Sequence, residues 1–291
     1  MAQRGAKGKA ICLMVVSSLA FVLMQVVVRI TSEHVSLIEQ IFFRNFISTV
    51  LSLLVLRKRG LPLFGDRAHQ PALIARSSLG FIGIVLLFYA TEHARLADVN
   101  LFSKTSPIWA TMFAMAFFQE KPSKIFVPAL FMCIIGTYVA IQPSFGSEIL
   151  PLVCAVGSAA ITGGVQVILS YLKNRENVFT IVFHFSLFST VVAAIGSLSS
   201  TFRASLHDIL LLIFVGIFAM IGQFSMTMAV RLADVSDIAI YDYSGIVFSA
   251  FFGFLLFDES PPLSTIIGGG LIIGALLLFG FQQYIEKQDL K

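Results

Sequence analysis

The sequence predicts an all-α membrane protein in which ten transmembrane helices form two inverted five-helix repeats. Three observations carry that expectation. Of 291 residues, 57% are hydrophobic and only 12% charged, with a mean hydropathy of +0.90; a water-facing domain carries about twice that charge. The chain also divides into ten apolar stretches near the ~20 residues that cross a ~30 Å hydrocarbon layer. Finally, a segment of the first half recurs in the second.

The stretches fall near 10–30, 35–56, 71–92, 97–119, 124–142, 149–171, 177–198, 207–229, 235–257 and 262–283, between short tails at 1–9 and 284–291. The first follows Arg4, Lys7 and Lys9 as a signal peptide would. It runs on too long for a signal h-region and lacks a small-residue cleavage site, so it reads as a membrane helix. Runs such as LMVVSSLAFVLMQVVV do not alternate apolar with polar, which argues against barrel strands. With the N-terminus in the cytoplasm, 15 Lys and Arg residues, Arg76 among them, fall on cytoplasmic segments. Arg29, Arg95 and Arg203 fall outside, and Arg44 and Lys104 lie within spans. The positive-inside rule then places both termini in the cytoplasm of a bacterial inner membrane. The same scatter of basic residues argues against a nucleic-acid partner. Cys12, Cys133 and Cys154 sit in apolar runs and read as buried free thiols.

ARLADVN (94–100) returns as VRLADVS (230–236), FFQEKPS (117–123) answers LFDESPP (256–262), Pro107 answers Gly245, and Gly136 answers Gly274. The offset is 136 at the first pair and 138 afterwards. Two copies, 10–142 and 149–283, each hold five spans, and an odd number turns the second copy over in the bilayer. Such antisymmetry suits a secondary transporter whose halves rock about a midplane site.

The segment YATEHARLADVNLFSKTSPIWATMFAMAFFQEKPS, its second copy through DVSDIAIYDYSGIVFSAFFGFLLFDESPP, and the helix GGGLIIGALLLFGF resemble EamA-type transporters of the drug/metabolite transporter superfamily. IEQIFFRN (38–45) is similar to the "FxxR" second helix of the S-adenosylmethionine-uptake-type subgroup. The resemblance implies a ten-helix carrier of small metabolites. The first helix departs from the pattern, lacking the family's tryptophan-glycine pair.

Ionisable groups within spans are costly and so face protein or water. Arg44 either lines the cavity, gripping a carboxylate, or clamps backbone carbonyls or Glu39. At an offset of 140 it matches His184; at 138 Lys104 matches Asp242. The inverted repeat then sends Arg44 and Lys104 to the periplasmic half, and His184 and Asp242 to the cytoplasmic half. His184 and Asp242, with Glu39, are candidates for proton coupling or gating; the alternatives are a satisfied structural histidine and, for Asp242, pairing with Lys104 or exposure at the helix end. Lys104 and Asp242 are also candidate solute-binding residues. Pro107 opens backbone polarity beside Lys104. Trp109, Tyr241, Tyr243 and Gln25 are candidate cavity residues, with packing the plainer reading. Gln25, Asn45, Gln166 and Gln223 alternatively serve as interhelical glue, and Gly270-x-x-x-Gly274 reads as packing within the bundle or a dimer seam.

GLPLFGDR lacks the Gly-Lys-Ser/Thr ending of a phosphate loop, and neither HEXXH nor GxSxG occurs. The expectation is therefore a transporter of an amino-acid-like, nucleoside-like or drug-like solute by alternating access, without cofactor. A membrane-embedded enzyme modifying lipids or metabolites, and a channel, are the alternatives.

Overall fold

A computed structural model describes residues 2–118, 125–141, 149–172, 175–198, 205–232 and 241–289. The helices are α1 (Ala2–Thr31), α2 (Leu37–Arg59), α3 (Gln70–His93), α4 (Leu96–Ser103), α5 (Ser106–Phe118), α6 (Phe126–Ile141), α7 (Ile149–Leu172), α8 (Val178–Ser197), α9 (Leu206–Leu232), α10 (Ser244–Phe257) and α11 (Leu263–Asp289). Loops 119–124, 142–148 and 199–204, and the stretch 233–240 with most of the second heptapeptide, lie outside the described residues.

Local chemistry fixes where helices start. Ser36 caps α2 and Glu39 reaches back to the Ser36 amide, a capping box whose acidic partner also suits the positive end of the helix. Ser205 and Asp208 do the same for α9. Asn177 accepts from the Phe179 amide at the head of α8. Helix α2 stops at Gly60, whose φ of 61° suits a residue without Cβ, after the basic run Arg57, Lys58 and Arg59.

Burial runs opposite to that of a soluble protein. Leu198, Phe117, Leu206 and Phe131 are exposed, while Ser17, Ser18, Gln25, Gln40, Asn45 and Ser77 are buried. Lipid, not water, is the surrounding solvent for such a surface. Among the described residues six helices are long and apolar enough to cross a bilayer: Gly8–Thr31, Leu37–Arg59, Arg67–His93, Ile149–Leu169, Val178–Ser197 and Leu206–Met226. Phe126–Ala140, Ser244–Phe257 and Leu263–Leu278 are shorter apolar helices. Ten continuous spans are thus not found among the described residues. Span 97–119 breaks at Lys104 and Thr105 into α4 and α5, because Pro107 offers no amide hydrogen to the Ser103 carbonyl. Cys133 is buried, but Cys12 is exposed and Cys154 half-buried, so the three thiols do not share one environment.

The packing of helices repeats itself when the halves are exchanged. Helix α1 lies on α9 and α3 on α7; α5 lies on α7 and α1 on α10; α2 lies on α9 and α3 on α8. Two contacts map onto themselves: α2 with α8, and α6 with α11. Even single hydrogen bonds recur. Ser17 Oγ donates to the Gly222 carbonyl at 2.8 Å, and Ser158 Oγ to the Gly83 carbonyl at 2.8 Å.

Helices α6 and α11 cross backbone to backbone at Gly136 and Gly268. A Cβ on Gly268 would lie 2.6 Å from the Ala140 nitrogen, and one on Gly136 2.7 Å from the Gly268 carbonyl oxygen. The sequence reading favoured Gly270 and Gly274 for close approach. Gly270 instead faces open space, and Gly274 makes ordinary contact with Met132. Gly268→Val is expected to destabilise by about 1–3 kcal/mol through overpacking. Gly270→Ala is expected to be neutral or to stabilise by roughly 0.5 kcal/mol through helix propensity. Thermal unfolding in detergent measures both.

Candidate functional site

The site is built where α4 gives way to α5 and α10 begins. Ser106 opens α5 and Ser244 opens α10, 138 positions on, so both helices begin at the same place in the repeat. Just before these starts, Lys104 Nζ donates to Asp242 Oδ2 at 2.6 Å. These are equivalent residues of the two copies. Equivalent residues touch only where the pseudo-twofold axis passes between them, so the ion pair marks the axis. Thr49 and Thr190, whose hydroxyls are 3.2 Å apart on α2 and α8, mark it again within one residue of the expected offset.

Helix α1 closes one side of the pair. Ser18 Oγ donates to Asp242 Oδ1 at 2.8 Å and lies 3.1 Å from the Asp242 carbonyl, so it holds the second carboxylate oxygen and exposed backbone at the break. Gly245 leaves room for this: a Cβ there would sit 3.6 Å from both Lys104 Cε and Ser18 Cβ. Two helical turns along α1, Gln25 Oε1 accepts from Asn100 Nδ2 at 2.6 Å, and Asn100 lies one turn before Lys104 on α4. Ser18, Asp242, Lys104, Asn100 and Gln25 form a continuous polar ladder between the halves. Asp242 remains 35% exposed and Lys104 17%.

The other candidates fall elsewhere. Tyr241 is exposed beside Asp242, whereas Tyr243 packs on the apolar cluster around Phe102 and Cys133. Trp109 lies on α5 against α7, where Gly163 lets the backbones meet. Glu39 serves the α2 capping box. The clearest apolar recess, ≈ 20 Å³ between Val178, Phe179, Val182, Met220, Gln223, Phe224 and Met228, has room for little more than one water and lies between α8 and α9.

Two sequence expectations are corrected. Lys104 and Asp242 are not divided between the periplasmic and cytoplasmic halves, because they are in direct contact at the axis. His184 and Asp242 have separate partners: His184 Nδ1 lies 2.9 Å from Ser77 Oγ, on α3. Arg44 and His184 instead share a neighbourhood with Arg76, whose charge acts on both. Arg76, Ser18 and Asn100 were missed. Arg76 could have been noticed as an isolated cation six residues inside α3, beyond the helix end where an anchoring charge sits.

Among the described residues no group of three or more His, Cys, Asp or Glu is placed to hold a metal.

The comparisons with known proteins agree with this architecture. A model of the EamA-like transporter family matches residues 8–142 and again 149–281. The chain is 32% identical over 270 residues to a pseudopaline exporter of Pseudomonas aeruginosa, covering 92% of this chain and 94% of that protein. It is 26% identical to a riboflavin transporter of Brucella anthropi, over 85% and 87% of the two chains. It is also 25% identical to an S-adenosylmethionine uptake transporter of Rickettsia bellii, over 86% and 84%. A solved crystal structure shares the fold with a TM-score of 0.64 at 17% identity, over 98% of this chain and 99% of that one. Matched in both halves and along nearly its whole length, the chain belongs to the EamA-like transporter family of multi-pass membrane proteins.

Proposed function

We propose that this protein moves a small organic solute across the bacterial inner membrane by alternating access. In this reading the ten stretches of the sequence, with α4 and α5 together as one broken span and 235–257 as the ninth, form two inverted halves. Both termini face the cytoplasm. The carrying observation is the contact of Lys104 with Asp242 on the axis that relates the repeats. A charged, partly exposed pair at paired helix breaks is the place where both halves meet a solute at once. Lys104, Asp242, Gln25 and Tyr241 bind or admit the solute in this reading, with Trp109 at the margin. Asp242 is the group through which a proton would act.

The relatives support an organic solute, since their names specify pseudopaline, riboflavin and S-adenosylmethionine. Uptake and efflux of a metabolite panel in proteoliposomes, under imposed pH and voltage gradients, tests the proposal. Saturable flux of at least one intact solute, lost in Asp242→Asn, is the expected outcome. Chemical conversion of a solute without net movement would replace transport by an enzymatic role.

A further inference from the structure

Three helices, α2, α3 and α8, meet around a cluster of positive charge that no acidic side chain among the described residues answers. Arg44 and Arg76 are only 5% and 7% exposed. Arg44 Nη1 donates to Asn45 Oδ1 at 3.0 Å, but its Nε has no partner. Arg76 has none at Nε or Nη1. Its guanidinium carbon sits over the Phe185 ring, 3.9 Å from the centroid. Gly80 makes that fit possible: a Cβ there would press on Phe185 at 2.8 Å and stand 3.5 Å from Arg76 Nη1.

The two cations feel each other's charge, and Arg76 also acts on His184. Ser77 Oγ lies 2.8 Å from the Leu73 carbonyl oxygen and 2.9 Å from His184 Nδ1, and neither Ser77 nor His184 brings a negative charge. Among the described residues the ion pairs of Arg29, His69, Lys104 and His207 leave both arginines out. The Ser52 and Ser189 hydroxyls, on α2 and α8, lack partners as well.

A structural clamp would aim guanidinium N–H groups at carbonyls. Here three of them aim at nothing, in a region where an unanswered charge is costly. The second half shows no matching need, because the α9 positions answering Arg76, Leu212 at the 136 offset and Val215 at the 139 offset of Gly83 and Gly222, are both apolar and fully buried. The asymmetry suits ligand chemistry better than scaffold.

We infer that Arg44 and Arg76 form a binding site for the anionic end of the solute, and that the solute carries a carboxylate. The flat donor fork of a guanidinium matches a carboxylate in two parallel hydrogen bonds. This inference rests on the transporter reading for the solute's route to the site, not for the site's chemistry.

The test is thermal unfolding of the purified full chain in detergent, titrated at constant ionic strength with succinate, citrate, inorganic phosphate or choline. Succinate or citrate is expected to raise the melting temperature saturably, and choline to leave it unchanged. Arg44→Gln and Arg76→Gln each weaken the carboxylate effect at least tenfold. Without ligand, both variants melt at or above the native temperature, because each removes an unanswered buried cation. Variants that melt lower, or fail to fold, would make the arginines structural and overturn the site. Phosphate acting as strongly as the carboxylates would overturn the carboxylate assignment. Saturable carboxylate binding without flux in proteoliposomes upholds the site while removing the transporter reading; flux of uncharged solutes alone, with no carboxylate binding, does the reverse.

Discussion

Exchanging the charges of Lys104 and Asp242 is expected to rescue what either single change destroys. Lys104→Met leaves the carboxylate facing only Ser18, and Asp242→Asn leaves the ammonium without its counter-charge. Removing one partner of a membrane-interior pair costs more than the pair is worth, because the survivor must be neutralised or hydrated. With Asp242 about a third exposed, each single change is expected to destabilise by on the order of 2 kcal/mol and to lower transport more than tenfold. Lys104→Asp with Asp242→Lys keeps the same backbone separation and the same total side-chain reach. Because the residues are equivalent across the axis, the swap nearly amounts to relabelling the halves. One difference remains, since Ser18 on α1 then faces an ammonium. The swapped protein is therefore expected to regain most of its thermal stability but only part of its transport. Melting temperature and flux for the two singles and the double decide it. A swap as unstable as the singles would remove the axis from this position.

The equivalence of these two residues was legible in the sequence, because FFQEKPS and LFDESPP set the offset at 138. Their contact was open there only as one alternative for Asp242. A repeat says which residues correspond, while the position of the axis comes from how the halves dock. The same distinction explains Arg76. Its depth, six residues inside α3, sets it apart from the helix-end anchors, but depth does not say where the side chain turns. Its side chain turns inward because Gly80 and Phe185 leave a slot, which only the α3 and α8 contact creates. Glycine spacing failed for a related reason. Gly270 and Gly274 share a helix face, but the close crossing with α6 falls at Gly268, while Gly274 meets only the end of the Met132 side chain and Gly270 nothing. Hydropathy, averaged over a window, gave the apolar stretches and could not register the break at Lys104, which is set by one missing amide hydrogen.

Two ties between the halves, at opposite ends of α3, are expected to bias the protein in opposite directions when cut. Before α3, the Glu176 carboxylate accepts from the Asp66 amide at 2.8 Å and lies 2.8 Å from His69 Nδ1. The φ of 69° at Gly65 lets the loop wrap this close. After α3, Glu259 pairs with Arg29 and accepts from the Leu96 amide at 3.0 Å, while Arg29 Nη1 donates to the Ala94 carbonyl at 2.8 Å. The 24 residues of α3 separate the ties by roughly 36 Å at 1.5 Å per residue, enough to put them on opposite membrane faces. Each joins a loop of the first half to a loop of the second, and both are closed in this conformation. If the halves rock, opening one face requires parting one tie while the other holds. A tie worth about 1–2 kcal/mol shifts such an equilibrium roughly 5–30-fold. Glu259→Gln is expected to speed labelling of a Thr105→Cys reporter by an impermeant maleimide from the Glu259 face and slow it from the Glu176 face. Glu176→Gln reverses both. The background would have Cys12, Cys133 and Cys154 replaced, with vesicles of both orientations compared. Faster labelling from both faces in either variant would mean the ties hold the fold together without selecting between its conformations, and rocking about the Lys104/Asp242 axis would lose its support.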